Sequence, residues 1–307
     1  MPPKTKSIWM DGKQVEWEKA TVHVLSQGLH YGAGVFEGIR CYKTPKGPAL
    51  FRLDEHVKRF FASAKILGLE LKYKESQLRQ AIIETVKANG LEDCYVRPLA
   101  FGGNGGFNLV MRGTPTHMIV AVWPWGDYLS GGDPNAGVKV KTSSFIRPHP
   151  NSTMIKAKIT GNYVNSILAK QEAEDAGMHE ALMLDSNGHV MEGTGENIFA
   201  VRNGTVYTPP AKSILEGITR ASVMEIARGA GIQVVEEMLS RDQLYVADEV
   251  FMTGTAAEVA AVGEIDRRTI GDGMIGPVAK RVREAYMNAT HGRDPKYEKW
   301  LTRVEMG

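Results

Sequence analysis

Lys156 and Lys158, within the stretch KAKITGNY at 156–163, carry the most evident chemistry in this chain. They end a strand-like run and are followed at once by Gly161-Asn162 and a helical pattern. A lysine held at such a junction can be partly desolvated, which favours the free amine that Schiff-base chemistry needs. Alternation puts both lysines on one face, so periodicity does not choose between them. Two anion-binding patterns lie further along. Gly217-Ile218-Thr219 stands where a loop enters a helix, with Thr219 as the expected N-cap, and the free N–H groups there favour an anion. Thr253-Gly254-Thr255-Ala256 is a second cluster of small residues with open backbone donors. Tyr95 and Arg97, two apart on a strand, share a face. A phenol beside a guanidinium makes a carboxylate site, unless Arg97 is taken by a structural acid nearby.

The elements that must position these groups fall into two halves. In the first, 7–25 reads as a hairpin turning at Asp11-Gly12. A glycine-punctuated strand spans 32–40. A helix over 53–67 buries Val57, Phe60, Phe61, Ala64 and Leu67, and a second over 76–88 stops at Gly90. Strands at 94–101 and 118–123 are joined by a Gly-rich loop at 102–106. The run WPWGDYLSGGDPNA at 123–136 reads as an inter-domain linker whose rings could wall a cleft. Beyond it lie strands at 137–147 and a helix over 162–176 with Val164, Ile167, Leu168 and Gln171 on one side. Tight turns follow at Ser186-Asn187-Gly188 and Asn203-Gly204. A helix over 219–229, a strand, a short helix with the capping box Ser240-x-x-Gln243 and a strand at 249–253 complete the pattern. The expected organisation is a domain at 1–122, a connecting loop at 123–136 and a larger domain at 137–307 that holds the reactive lysine.

Several chemistries are excluded. No G-x-G-x-x-G opens a helix after a strand, and no P-loop is present. The eight histidines and two cysteines show neither H-E-x-x-H nor C-x-x-C spacing, and no G-x-S-x-G elbow occurs. The balance of 37 Lys and Arg against 35 Asp and Glu, net +2, argues against nucleic-acid or membrane-surface binding through bulk charge. No apolar run of ~20 residues predicts a transmembrane helix, and the N-terminus shows no secretory h-region. Cys41 and Cys94 cannot build a disulfide framework and suit a reducing cytoplasm.

KITGNY, followed by MLDSNGHVMEGTGENIF, LEGITR and FMTGTAAE, resembles the branched-chain aminotransferases, fold-type IV pyridoxal-phosphate enzymes. HYGAGVFEGIR, FRLDEHVKRF, YVRPL and WPWGDYL match the family's first half, so the resemblance covers nearly the whole chain. It implies an α+β (mixed α/β) two-domain fold with pyridoxal 5'-phosphate at the domain interface. Lys158, five residues before Tyr163, would carry the coenzyme. Glu192 would take the pyridine nitrogen in preference to Glu196, and Tyr163 the phenolic oxygen. Arg59, Gly217, Ile218, Thr219, Gly254 and Thr255 would hold the phosphate, and no metal is implied. For the substrate, Tyr95 and the amides of Thr255 and Ala256 would meet the α-carboxylate, and Arg97 the distal one. Phe36, Gly38, Trp125 and Tyr128 would form the walls, with Arg40 close by and Tyr31 entering from a neighbouring subunit of a homodimer or larger homo-oligomer.

The implied reaction moves an amino group between Leu, Ile or Val and 2-oxoglutarate, by ping-pong exchange through pyridoxamine phosphate. D-Amino-acid aminotransferases, (R)-amine transaminases and aminodeoxychorismate lyases would keep Lys158, Glu192 and the phosphate site, but not Tyr95-x-Arg97 together with GTAAE. A non-catalytic phosphate-ligand binding protein would tolerate loss of the lysine. The loop 102–115, with Arg112, departs from the family's usual forms.

Overall fold

The computed structural model of the protein describes residues 4–105, 109–126, 133 and 135–306. Its contacts divide the chain into two units. The first holds the described residues of Met1–Gly126, with Ala157–Asn162 and Asn288–Gly307, and the second holds those of Asp127–Lys156 and Tyr163–Met287. The division differs from the expected one: the Lys158 segment and the C-terminus belong with the first unit. Among the described residues no helix is long and apolar enough to cross a membrane.

The first unit is an antiparallel sheet under two helices. Its strands are β1 (Ser7–Met10), β2 (Lys13–Glu16), β3 (Gly34–Phe36), β4 (Ile39–Tyr42), β5 (Ala49–Phe51), β6 (Cys94–Gly102) and β7 (Thr116–Trp123). They run in the order β5-β4-β6-β7-β1-β2, with β3 beside β6 and the C-terminal strand Leu301–Arg303 outside β5. The first hairpin closes at residue 16 rather than 25, turning at Asp11 and Gly12 with φ of +47° and +96°. Such left-handed pairs match the twist of the strands they join.

Val35, Ile39, Cys41, Val96, Val120 and Val122 make one sheet face apolar. Two helices cover it, after the short helix α1 (Gln27–Tyr31): α2 (Leu53–Leu67) with Leu53, Val57, Phe60 and Ala64, and α3 (Glu75–Asn89) with Leu78, Ala81, Ile82 and Val86. Both end on left-handed glycines, Gly68 and Gly90, the second as expected from the sequence. The expected 32–40 strand is two strands. β3 and β4 pair with β6 in one register, Phe36 opposite Leu99 and Ile39 opposite Val96, interrupted at Glu37-Gly38.

The second unit contains β8 (Val138–Thr142), β9 (Glu180–Leu184), β10 (Val190–Glu192), β11 (Asn197–Arg202), β12 (Thr205–Thr208), β13 (Val234–Glu236), β14 (Glu249–Gly254), β15 (Glu258–Ile265) and β16 (Arg268–Thr269). The pairings β10-β9-β8-β15-β14-β11 close on themselves because β10 also pairs with β11. Its parallel pairs, β8–β9, β8–β15 and β12–β13, make it a mixed sheet, in keeping with the expected mixed α/β class. Val138, Val140, Leu182, Ile198, Val250, Met252 and Val262 form its core. Both predicted tight turns are present between β9 and β10 and between β11 and β12, and β8 is shorter than the expected 137–147 strand.

Four helices accompany this sheet: α4 (Tyr163–Asp175), α5 (Ile218–Gly229), α6 (Arg241–Tyr245) and α7 (Pro277–Thr290). On α4 the apolar side is not the one that packs on the sheet. Val164, Ile167 and Leu168 are exposed in the protomer, whereas Ser166, Ala169 and Ala173 are buried. Small side chains let the helix lie close to β9, where Ala181 and Met183 meet them. The N-cap of α5 is Gly217, not Thr219, which is already inside the helix and buried. The Ser240–Gln243 box opens α6 as predicted.

Phe60 is fully buried between α2 and the sheet. Phe60→Ala should lower unfolding stability by about 3–5 kcal/mol, read from the shift in denaturant midpoint.

Candidate active site

Backbone bonds fix Lys158 on both sides. Its N–H donates to Ser63 Oγ of α2 at 3.0 Å, and its carbonyl accepts from Phe36 N–H at 3.1 Å. Next to it Ile159 forms a bridge with Val35, and Gly161 N–H donates to Gly32 O. The Lys158 ammonium lies 4.7 Å from the Phe36 ring centroid, a cation–π distance. Lys156 goes elsewhere: its Nζ pairs with Glu216 at 2.6 Å and bonds the Ala211 carbonyl. The stretch around them is turns and not the expected strand, so alternation does not hold and the two lysines fall in different units.

The Phe36 ring is shared. Arg97 lies 4.8 Å above it, 5.3 Å from the Tyr95 ring and 5.9 Å from Trp123, and its Nη2 donates to Tyr95 Oη at 3.3 Å. Among the described residues no carboxylate pairs with Arg97, and its buried Nε has no hydrogen-bond partner. Tyr95 stacks on Trp123 and sits 4.6 Å from Trp125. Gly38 makes this possible, since a Cβ there would stand 1.8 Å from Tyr95 Oη.

The structure thus brings together Phe36, Gly38, Tyr95, Arg97, Trp125 and Lys158, and adds Trp123. It gives Arg40 a structural partner, Asp93 at 2.8 Å, and stacks it on Tyr42. Tyr31 ends α1 and is 45% exposed. Tyr128 lies outside the described residues.

Beneath Phe36, on the α2 side of the sheet, is a buried polar cluster. Glu37 is fully enclosed; its carboxylate accepts from Arg59 Nε at 2.7 Å and Nη2 at 2.8 Å, and from His56 Nδ1 at 2.7 Å. Burial opposes the charge on Glu37, but Arg59 and His56 outweigh it and hold the carboxyl well below the usual range. Burial pushes the His56 pKa down, and Arg59 and Lys158 add to this against the pull of Glu37. Glu37 and His56 escaped the sequence reading. A signal was present: an acid inside the buried alternation Val35, Glu37, Ile39, Cys41, and a histidine inside the apolar stripe of α2.

In the second unit Glu192 ends β10, opposite Asn197 of β11 and, one strand further, Thr253 of β14. Glu192 accepts from Arg147 at 2.7 Å, from Asn197 Nδ2 at 3.0 Å and from the Leu215 amide at 3.5 Å. Glu196 is turned back on its own hairpin, accepting from Gly195 N–H. Thr253 is buried and its hydroxyl has no partner among the described residues. At the start of α5 no side chain caps the helix, and Ile218 and Thr219 are buried. Gly217 is needed there, because a Cβ would stand 1.9 Å from Asn197 Oδ1. Gly254 ends β14, and Thr255 and Ala256 form the turn into β15. Tyr163 is the first residue of α4. Arg147 and Asn197 were not anticipated; only their roles around Glu192 reveal them.

Gly38→Ala should force the Tyr95 ring off its stack, at about 1–3 kcal/mol. The expected readout is a changed near-ultraviolet circular dichroism from Tyr95, Trp123 and Trp125 with the far-ultraviolet spectrum retained. Acid should also destabilise the fold in two stages. Below about pH 6.5 the unfolded chain takes up a proton that buried His56 refuses, and below about pH 4.5 the same holds for Glu37. In denaturant titrations across this range, His56→Asn should flatten the upper stage and leave the lower one.

A family model described as amino-transferase class IV matches residues 34–265. The branched-chain-amino-acid aminotransferase of Pseudomonas aeruginosa is 45% identical over 298 residues, 97% of each chain. A crystal structure of the T.th. branched-chain amino acid aminotransferase with pyridoxamine 5'-phosphate superposes with a TM-score of 0.96 at 52% identity, covering 98% of this chain and 99% of that one. The Escherichia coli branched-chain amino acid aminotransferase gives 0.96 at 42% identity, covering 98% and 100%. With its fold, its clamped lysine and its coverage from end to end, the chain belongs to the class IV aminotransferases, among the branched-chain-amino-acid aminotransferases.

Proposed function

We propose that this protein transfers an amino group between branched-chain L-amino acids and 2-oxoglutarate, using pyridoxal 5'-phosphate. One observation carries the reading: the Phe36 ring lies under both the Lys158 amine, at 4.7 Å, and the ring-caged Arg97, at 4.8 Å. A reactive amine and a guanidinium that meets no carboxylate among the described residues thus share one aromatic floor.

The donor set suits this coenzyme. It needs an amine for its aldehyde, an anionic acceptor at its ring nitrogen and donors for its phosphate. Lys158 supplies the first and Glu192, held by Arg147 and Asn197, the second. The uncapped start of α5 at Gly217, Ile218 and Thr219 offers backbone donors, as do Gly254 and Thr255, and Arg59 adds charge. The buried Thr253 hydroxyl, which has no partner among the described residues, is a further group that suits a bound ligand. Tyr163 serves the phenolic oxygen.

Bound pyridoxal 5'-phosphate supplies the electron sink that lets a substrate Cα–H bond ionise. The protein's part is positioning and proton movement. Lys158 would act at Nζ, first as the attachment amine and then as the acid–base group that takes the proton from the substrate Cα and hands it on to the coenzyme carbon that had carried the aldehyde. Glu192 holds the proton on the ring nitrogen. Tyr95 Oη and the amides of Thr255 and Ala256 receive the α-carboxylate. Arg97 receives the distal carboxylate of glutamate or 2-oxoglutarate, while Phe36, Trp123 and Trp125 bury an aliphatic side chain. Charge and rings in one place explain how a single pocket serves both substrates. The pairing of Tyr95-x-Arg97 with GTAAE favours this reading over D-amino-acid or (R)-amine transfer.

The working form is a homodimer or larger homo-oligomer. The exposed run of Val22, Val24, Leu25, Leu29 and Tyr31 suits cover by a second copy. The free buried thiols Cys41 and Cys94 suit a reducing cytoplasm.

Lys158→Ala tests the proposal, with Lys156→Ala as its control. The wild type and Lys156→Ala should show a coenzyme absorption band that borohydride abolishes, and should convert leucine and 2-oxoglutarate. Lys158→Ala should lose the borohydride-sensitive band and at least ~10³-fold in kcat. Wild-type turnover by Lys158→Ala would refute the reading.

A further inference from the structure

Glu37 poses a problem that stability does not solve. It is fully buried at an inward position of the strand alternation, between Val35 and Ile39, where an apolar residue would pack. A buried ion pair is often no more stabilising than apolar residues of the same volume. Arg59, its partner, is 15% exposed while Glu37 is wholly enclosed, so the pair is buried at its acidic end and reaches outward at its guanidinium end. Both carboxylate oxygens are spent on Arg59, through Nε and Nη2, and one of them also on His56. A two-point grip on one edge fixes the plane of a guanidinium. By covalent geometry it turns the Nη1 corner away from Glu37.

We propose that Glu37, itself fixed by His56, is a positioning residue that presents the Arg59 guanidinium to the phosphate of the coenzyme. The inference rests on the reading that this chain binds pyridoxal 5'-phosphate and that Arg59 meets its phosphate. Glu37 lowers the net charge beside the phosphate, so its contribution is orientation. Charge and orientation therefore predict opposite outcomes when Glu37 is neutralised. If charge dominates, Glu37→Gln binds the phosphate ester more tightly; if orientation dominates, more weakly. His56 has a matching role: uncharged, it anchors the carboxylate without adding a third charge to the cluster.

The test measures equilibrium binding of pyridoxal 5'-phosphate and of pyridoxal, which lacks the phosphate, to the full-length chain, by the change in absorbance and protein fluorescence. The quantity read is the ratio of the two affinities, which general loosening of the fold does not move selectively. Glu37→Gln should reduce this ratio about tenfold or more, the scale of one charged hydrogen bond. His56→Asn, whose amide can still donate, should leave it near the wild-type value. Glu37→Asp keeps the charge and withdraws it by one methylene, so it should give a smaller drop; it decides the matter if Glu37→Gln does not fold. Arg59→Gln is the reference. Failure of the wild type to bind pyridoxal 5'-phosphate would overturn the functional reading itself. An unchanged ratio in Arg59→Gln would remove Arg59 from the phosphate. A large drop in Arg59→Gln with an unchanged or raised ratio in folded Glu37 variants would overturn the role of Glu37 alone.

Discussion

The first unit depends on one close crossing of backbones. Gly161 N–H donates to Gly32 O, and a Cβ on Gly32 would stand 2.7 Å from Gly161 Cα. Gly32, with φ of +63°, is required at that point because a side chain there would run into the Gly161 backbone, and Gly161 leaves the approach close. The crossing pulls 157–162 out of the sequence half in which it lies and lays it beside β3. Ile159 then bridges to Val35, Thr160 Oγ1 bonds the carbonyls of Gly32 and Gly34, and Lys158 is clamped between Phe36 and Ser63. An amine on a flexible stem is thereby mounted on a base fixed by backbone bonds on both sides.

Charge is handled differently in the two units. In the first, Arg97 keeps its charge among rings, without a carboxylate among the described residues to satisfy it. Aromatic faces attract a cation without neutralising it, so it stays available to an anion. Arg59, on the opposite side of the sheet, is compensated at close range by Glu37. In the second unit the order is reversed: a carboxylate, Glu192, is surrounded by donors from Arg147, Asn197 and the Leu215 amide.

Much of this is legible in the sequence, and the failures share a cause. Helix 53–67, the Gly90 stop, the Asn203-Gly204 turn and the Ser240 box are local signals, and the residues alone disclose them. Tyr95 and Arg97 share a face as strand alternation dictates. Wherever the outcome depends on tertiary context, local reading falls short. The apolar stripe of α4 faces outward in the protomer because its alanines give the closer fit to β9. Lys156 and Lys158 look equivalent until the crossing separates them. Arg40 reads as a pocket neighbour or as half of a structural pair, and its partner Asp93 is identified only by the fold. Glu37 leaves a trace in the sequence as an acid inside an apolar alternation, whereas Arg147 becomes visible only as the partner of Glu192.

The ring of pairings in the second unit has a consequence for how the sequence can vary. Glu192 ends a strand bonded to neighbours on both sides, and those neighbours lead round through β8, β15 and β14 back to each other. A closed circuit of this kind offers no terminus at which a strand can slide by one residue, since any slip would have to be matched by every other member. The carboxylate's address is therefore insulated from what happens in the connecting turns. Lengthening or shortening of those turns during divergence alters the outside of the unit and leaves the acid where it stands.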